Sequence, residues 1–381
     1  MKVAHVSDTH LGYMQYNLYE RKRDFFNSFR QIVDKCLELE VDLLVHSGDL
    51  FESFNPDVES LSFVVEELKR LKDKGIEVVA ITGNHDKALR KDKKPPQVLL
   101  KGLELLKLLE PHGELHIKDL YIAGFGYTPA RYIDYVRERA FPKWEKEAEK
   151  AGASVFLFHQ AVDQFLPYNG AYELLITQLP KNFTYYAAGH LHTYRVEKVK
   201  GGILSYPGST EFRTFDEAEN GKRGFNLIEI EKRKFKRIEL EGLRPFLILK
   251  TSEERGDEEL KELLQKVKSQ DKKPVVVILY TYKTTPIEKF KFLLEEIRRN
   301  SLYLRVKAVE EALTEEVIGG GKSLNEVFEE FCKANSLPSE VVNLGKEVIA
   351  HSPEDTREIL REFLKEKLKD NFQVVEKFIS P

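Results

Sequence analysis

Cysteine is nearly absent: Cys36 and Cys332 are the only two in 381 residues, far apart and without a CxxC partner. That excludes a disulfide-stapled scaffold and a thiolate-built zinc or iron–sulfur site, both of which need cysteines in spaced pairs. Methionine occurs twice, and Trp144 is the single tryptophan. No apolar run reaches the ~18 residues of a membrane-spanning helix. The apolar start leads straight into Asp8 without the pattern of a cleavable signal, so a soluble, intracellular protein is expected. An excess of basic charge is missing as well: 60 Lys and Arg face 63 Asp and Glu, for a net charge of −3. No global field draws nucleic acid, and any phosphate contact must be local. Internal repeats and low-complexity tracts are lacking. The one glycine run, at 319–321, leads into a GKS triplet without the GxxxxGK[ST] frame, so no nucleotide loop follows from it.

What is present is a hydrophobic content of 41% over 381 residues, enough for two or three cored domains. A charged content of 32% suits ion-pair networks of the kind that resist heat, so a thermophilic source is expected. Within the first half of the chain, short segments deliver metal-binding side chains in order: Asp8 and His10, Asp49, Asn84 with His85, His159, then His190 and His192. Each follows an apolar run that reads as a buried strand: KVAHVS, VDLLVHSG, IEVVAITG, SVFLF and YYAAG. The side chains therefore sit where strands end, and the crevice beyond the carboxyl ends of an α/β sheet is where ligands bind. Imidazole, carboxylate and amide oxygen together suit a borderline-hard divalent ion such as manganese. Asp49, central in the order, is the candidate to bridge two ions, and ions ~3.5–4 Å apart activate water for in-line attack on phosphorus. A lone DxH, GD or HxH arises often by chance; the ordered conjunction is what carries the reading. His5 and His46 lie inside apolar runs and read as hydrogen-bonded core residues, whereas His112, His116 and His351 read as structural or exposed.

The series DTHLG, GDLF, GNHD, FHQ and GHLH, followed by YPGSTE, resembles the calcineurin-like metallophosphoesterases. Among these it is most similar to the Mre11 (SbcD-type) DNA double-strand-break repair nucleases, with DTHLGYMQYN pointing to the archaeal group. The resemblance is strong as far as Phe215 and rests on layout beyond it. It implies an α/β fold, a metallophosphoesterase β-sandwich flanked by helices (αββα), with a small α/β capping domain and a helical tail. It also implies two Mn²⁺ ions per subunit, with Asp8, His10 and His192 on one, Asn84, His159 and His190 on the other, and Asp49 between them. His85 would not be a ligand but would face the scissile phosphate, stabilising the transition state or protonating the leaving oxygen. An imidazole suits that task because its ordinary pKa lies close to neutral pH. Asp86 is a candidate to orient it. The implied activities are 3′-to-5′ exonuclease on duplex DNA and endonuclease on single strands. They would operate in a homodimer at double-strand breaks, with a Rad50-class ABC ATPase, in the prokaryotic cytoplasm at the nucleoid. Glu52 departs from the pattern, because some relatives carry histidine three residues after the GD aspartate; it is expected to point to solvent or to alter how DNA strands are handled.

The domain boundaries read as 1–243 for the nuclease domain, 244–318 for the DNA-binding cap, 319–323 for a glycine-rich linker and 324–381 for a helical partner-binding segment. The cap expectation rests on FLILK, DEELKELLQKVKS, PVVVILYTY, PIEKFKFLLEEIRRN and LYLRVKAV, an alternation of strand and helix. Arg90, Lys91, Lys93, Lys94 and Arg213 lie close in sequence to site motifs and are candidates for DNA phosphate contacts. Asn55 and Pro56 predict a helix start, with Leu61, Val64, Val65, Leu68 and Leu71 on one face and an end near Gly75. A second apolar stretch at 98–109 follows Pro95 and Pro96; by resemblance, helices of this region pair two subunits. In the tail, Phe328, Phe331, Leu360, Phe363 and Leu364 lie on amphipathic helices that need a partner, by resemblance the ATPase coiled coil. Two rival functions share these features: a metallophosphoesterase of small phosphodiesters, and a scaffold whose main task is to tether DNA ends. GDLFES lacks the GDxVDRG extension of phosphoprotein phosphatases, which argues against that substrate class.

Overall fold

A computed structural model describes residues 1–87, 93–166, 172–219 and 221–310, together with Lys333, Val342, Asn343 and Lys346. Arg90, Lys91, the expected linker at 319–323 and the tail residues Phe328, Phe331, Leu360, Phe363 and Leu364 lie outside the described residues. Two compact units are present. One takes in Met1–Thr128, Tyr135–Gln160 and Pro180–Glu315; the other includes Pro129–Asp134 and Ala161–Leu179. In the second, Val162 and Leu174 form an isolated bridge, and Asp163 Oδ1 accepts the Ile176 N–H at 2.7 Å.

The first unit is built on two six-stranded sheets. In chain order the strands are β1 (Lys2–Val6), β2 (Leu43–Ser47), β3 (Glu77–Ile81), β4 (Lys107–Leu108), β5 (His112–Ile117) and β6 (Leu120–Phe125). They continue with β7 (Ala153–Phe158), β8 (Tyr185–Ala188), β9 (Arg195–Val199), β10 (Gly202–Tyr206), β11 (Gly224–Glu229) and β12 (Lys234–Glu239). One sheet runs β12-β11-β1-β2-β3-β4 and the other β5-β6-β7-β8-β10-β9. The central strands β1 to β4 are mutually parallel, as are β6, β7, β8 and β10. Strands buried on both faces read as continuous apolar runs, which is why SVFLF carries no polar alternation. Its odd members, Val155 and Leu157, join Val3, Leu43, Val45, Val79 and Ile81 between the sheets. The other members turn outward: Phe156 packs under Phe141 and Trp144 of helix α4, with ring centroids 5.6 and 6.0 Å away.

Helices α1 (Tyr19–Glu38), α2 (Val58–Asp73) and the short α3 (Gln97–Gly102) cover the outer face of the first sheet, while α4 (Ala130–Lys150) serves the second. The result is the expected helix-flanked sandwich. Cys36 is buried on α1, and burial pushes its thiol up to about 12. Two local expectations are corrected. The cap of α2 is Asp57 rather than Asn55, because its Oδ1 accepts the Ser60 N–H at 3.0 Å. The stretch 98–109 is not one helix: the chain leaves α3 at Gly102, takes φ +54° at Glu104 and continues as β4 beside β3. On α2, Val64, Leu68 and Leu71 are buried in the sheet-facing core, with Leu61 and Val65 packed at its margin.

After a short helix, α5 (Phe215–Glu219), and the sheet strands β11 and β12, the chain enters a separate α/β module. It comprises β13 (Phe246–Ser252), α6 (Gly256–Lys268), β14 (Val275–Tyr282), α7 (Lys291–Asn300) and β15 (Tyr303–Glu310). Its three strands are parallel with β14 in the middle, and Leu260, Leu263, Val276, Ile278, Tyr280 and Ile297 form its own core. Aromatic rings join it to the sandwich. Tyr16 stacks on Tyr303 with centroids 3.9 Å apart, and Phe246 meets Phe212 at 5.4 Å and Phe215 at 6.0 Å. Beneath them the Asp24 carboxylate accepts from Arg244 Nε at 2.6 Å and Nη2 at 3.1 Å, and from Arg21 Nη1 at 2.6 Å.

Candidate metal centre

Parallel strands set side by side place their carboxyl ends on one rim, and here two sheets do so together. Asp8 and His10 follow β1, Asp49 follows β2, Asn84 and His85 follow β3, His159 follows β7, and His190 and His192 follow β8. The chain must turn sharply to aim these groups inward. Asp8, His10, Asp49 and His190 accordingly take positive φ of 52°, 45°, 55° and 91°, backbone strain of the sort that clusters at functional sites. Gly83 lets the β3 loop lie against Asp49; a methyl group there would overlap the Asp49 carboxylate and backbone.

The side chains converge in two overlapping sets. In the first, His10 Nε2 lies 3.2 Å from His192 Nε2, and Asp8 Oδ1 lies 3.8 Å from His192 Nε2. In the second, Asn84 Oδ1 lies 3.2 Å from His159 Nε2 and 3.1 Å from His190 Nδ1. Asp49 Oδ2 stands between them, 3.3 Å from His159 Nε2 and 3.7 Å from His10 Nε2. Three groupings keep ligand atoms within 4.8 Å of one another: Asp8, His10 and His192; Asp8, Asp49 and His159; and His10, Glu52 and His85. Ligands held ~2.1 Å from an octahedral ion are ~3.0 Å apart along each edge, close to the shorter separations here. Two imidazole nitrogens facing one another at 3.2 Å, with a carboxylate beside them, suit a cation that both can bind. The donor set thus fits divalent metal.

Further groups fix these side chains. His159 Nδ1 donates to the Ser47 carbonyl at 2.6 Å, His192 Nδ1 to Glu217 Oε1 at 2.8 Å, and the His190 N–H to Asp8 at 3.2 Å. Asp49 Oδ1 accepts the His85 N–H at 2.9 Å. Asp86 does not contact the His85 ring. Its buried carboxylate accepts the N–H groups of Leu50, Phe51 and Gly83 at 3.2, 3.0 and 2.9 Å, and so ties the loop of Asp49 to that of Asn84. His85 is held instead by Nδ1 donating to the Glu52 carbonyl at 3.0 Å, and its side chain is 30% exposed. His5 and His46 are core residues as expected, bonded to Tyr185 and Ser47 and to Thr9. His112 and His116 are exposed; His351 lies outside the described residues.

The electrostatics pull the set in both directions, and burial raises the Asp8 carboxyl. Burial alone would raise Asp49, but the adjacent His159 outweighs it and holds the carboxyl well below its ordinary range. Burial resists charge on His159 too, yet Asp49 and Asp8 push it up to about 9. Burial, then the neighbouring His159, takes His190 down to about 3, and burial and Arg213 lower His10. Metal ligation asks for ionised carboxylates and neutral imidazoles, so His159 must give up a proton when an ion binds.

Glu52 does not point to solvent. Its Oε2 lies 2.9 Å from His10 Nδ1 and its Oε1 3.0 Å from Arg213 Nη2, because the Arg213 guanidinium reaches the rim and draws the carboxylate inward. Arg213, expected at DNA phosphate, sits 3.3 Å by Nη1 from His10 Nε2, with its guanidinium over the Tyr13 ring. Lys93 and Lys94 are exposed, and Lys93 Nζ lies 5.1 Å from the Phe54 ring centre. Sequence reasoning missed Glu217, Arg223 and Tyr127, whose ring lies 5.7 Å from His190. Arg223 braces the His192 carbonyl at 2.6 Å and Glu217 Oε2 at 3.3 Å. None of the three stands in a recognisable motif; only proximity in the fold reveals them.

Paired sheets that deliver Asp, Asn and His from strand ends to one rim define a calcineurin-like phosphoesterase, and the profile of that family matches residues 1–194. Curated relatives extend the likeness past the sandwich. The DNA double-strand break repair protein Mre11 of Methanococcus maripaludis is 32% identical over 357 residues, 88% of this chain and 92% of that protein. Mre11 of Sulfolobus acidocaldarius is 29% identical over 95% of this chain and 98% of its own length, and that of Sulfurisphaera tokodaii 32% identical over 80% of each. The chain belongs to the Mre11 family. No helix among the described residues is long and apolar enough to cross a membrane.

Proposed function

We propose that this chain is a manganese-dependent DNA nuclease that processes double-strand breaks. The observation that carries the reading is the convergence of seven candidate ligand side chains beside a partly exposed histidine, in a chain of the Mre11 family. Asp8, His10 and His192 would hold one ion, Asn84, His159 and His190 a second, with Asp49 shared. When bound, such a pair lowers the pKa of water and stabilises charge on the phosphoryl oxygens. The chain's own groups do the rest. The Glu52 carbonyl engages His85 Nδ1–H, leaving Nε2 to face the departing sugar oxygen; the ring in its imidazolium form would give the Nε2 proton to that oxygen and remain neutral, with Nδ1–H still on Glu52. Arg213, at the rim, offers a guanidinium to the scissile phosphate.

The 3′-to-5′ exonuclease and single-strand endonuclease activities, and the pairing with a Rad50-class ATPase through 324–381, rest on the family. The three-stranded module at 246–310 serves as the DNA-binding cap. Val58, Leu99 and Leu103, exposed on α2 and around α3, support a second copy pairing there. The test is cleavage of end-labelled duplex with Mn²⁺, Mg²⁺ or chelator, alongside His85→Ala and Asp49→Ala. Manganese-dependent cutting lost in both variants is expected. Hydrolysis of an aryl phosphodiester without DNA cutting would overturn the nuclease reading in favour of a small-substrate phosphoesterase.

A further inference from the structure

One grouping of ligand atoms has no part in the two-ion reading. His10, Glu52 and His85 follow three different strands, β1, β2 and β3, and their ligand atoms lie within 4.8 Å of one another. Glu52 Oε2 is 2.9 Å from His10 Nδ1 and 3.9 Å from His85 Nδ1, and the two rings meet edge to face with centroids 4.8 Å apart. His10 Nδ1 and Glu52 Oε2 are both buried, and neither makes a hydrogen bond although they lie so close. An imidazole nitrogen and a carboxylate oxygen left unpaired in the interior are costly, and a divalent cation satisfies both at once. Arg213 Nη2 holds the other carboxylate oxygen, Oε1, at 3.0 Å, which leaves Oε2 for the cation. Glu52 and His85 are partly exposed, so the point is open to solvent on their side. Two imidazoles and one carboxylate, with a fourth place for water, are a donor set that zinc takes, in a tetrahedron whose edges are roughly 3.4 Å. The separations of 2.9 and 3.9 Å bracket that edge. Zinc also outranks manganese where imidazole dominates the donors.

We propose that His10, Glu52 and His85 form a third cation position, selective for zinc, whose filling switches the nuclease off. The proposal rests on the two-ion reading above and adds a regulatory site to it. A neutral imidazole has one lone pair. His10 therefore ligates either through Nε2, with Asp8 and His192, or through Nδ1, with Glu52 and His85, and zinc at the second position empties the first. In each of the two rings the proton moves from Nδ1 to Nε2 by exchange with water as zinc binds. His85 is disabled by the same step: with Nδ1 on zinc, the ring cannot take up the second proton that makes it an acid at Nε2.

The test is titration of the full chain with ZnCl₂, after stripping with chelator and loading with MnCl₂. The electron paramagnetic resonance signal of free Mn²⁺ and the cutting of labelled DNA are followed together for wild type, Glu52→Gln and His85→Ala, the last by its Mn²⁺ signal alone. In wild type, one Mn²⁺ per chain is expected to leave at the zinc concentration that stops cutting. Loss of an outer partner already costs about 10–100-fold in metal affinity, so loss of a ligand should cost no less, and both variants should need at least about tenfold more zinc for that release. A merely structural role for Glu52 or His85 would loosen Mn²⁺ and lower the zinc needed, the opposite direction. Equal zinc dependence in all three proteins would mean that zinc simply exchanges into the Mn²⁺ positions, and overturns the proposal, as does wild-type cutting that persists through the release. Fewer than two Mn²⁺ bound before zinc is added would instead sink the two-ion reading. The third position is then read by calorimetry of zinc binding to the stripped chain: a class weakened in both variants upholds it, and one isotherm shared by all three proteins overturns it.

Discussion

Asp24 offers the sharpest test of how the α/β module is fastened. Its carboxylate, with the side chain only 7% exposed, receives charged hydrogen bonds from Arg21 Nη1 and Arg244 Nε at 2.6 Å each and from Arg244 Nη2 at 3.1 Å. Arg21 is fully buried and Arg244 nearly so. Replacing Asp24 with Ala strands both guanidinium groups, and removing one partner of a buried ion pair costs about 3–5 kcal/mol. Arg21 keeps Gln15 Oε1 at 2.8 Å, the Phe212 carbonyl at 3.0 Å and Glu211 at 3.4 Å, so the lower end, about 3 kcal/mol, applies. At roughly 2–4 °C per kcal/mol for a large domain, the midpoint should fall by roughly 6–12 °C. Arg244→Ala should cost less, about 1.5 kcal/mol, the lower end for hydrogen bonds to a charged group, because Asp24 retains Arg21. Melting curves of both variants, with limited proteolysis near Leu243, provide the assay. An Asp24→Ala protein within 2 °C of wild type, or one no weaker than Arg244→Ala, would refute the view that this buried pair secures the module.

Gly83→Ala pushes a methyl group into Asp49, so ion binding and cleavage should both collapse, by about 100-fold or more in rate, equivalent to ~2.7 kcal/mol; retained manganese affinity would contradict the assignment of Asp49. His159 titrates at about 9 in the ion-free protein, so an ion must displace its proton. Apparent manganese affinity should therefore fall about tenfold for each pH unit below 9, and calorimetry in buffers of different ionisation enthalpy should report about one proton released; a buffer-independent enthalpy would count against it. The same group bears on stability without metal. Its folded pKa lies above its ordinary 6.5, so its contribution is full below 6.5 and is lost as pH rises through about 9.

The convergence of the candidate donors was legible in the sequence because each is tied to its strand by covalent neighbours: an apolar run, then the donor, with Gly or Ser between them before Asp8, Asp49, Asn84 and His190. The α/β module was legible for the same reason, with periods of two and of three to four alternating along 246–310. What could not be read is what the fold brings together from afar. Glu217 meets His192 across 25 positions, and Glu52 meets Arg213 across 161; neither pair leaves a local pattern. The inward turn of Glu52 depends on an arginine placed by a different loop, so its own neighbours in GDLFES suggested solvent instead. The helix start at Asp57 was misplaced because Asn55 and Asp57 are both good caps, and only the reach of a carboxylate to the Ser60 amide decides between them. At 98–109 the leucines suggested a continuous helix, but Gly102 and the turn at Glu104 hand Leu108 to a sheet edge.

The segment 209–219 touches two neighbours at once. Phe212 and Phe215 pack on Phe246 of the module, while Arg213 and Glu217, between and beside them, reach Glu52 and His192. An evolutionary or engineered exchange of the module is thereby constrained. A chimera spliced at Leu243, where the chain changes character, would set a foreign β13 against rings fitted to Phe246. A splice made before Ser209 would carry the matching rings along, together with Glu217, which steadies His192 of the candidate metal centre. The heritable cassette is thus longer than the structural one, and its seam runs through the segment that lines the candidate metal centre rather than beside it.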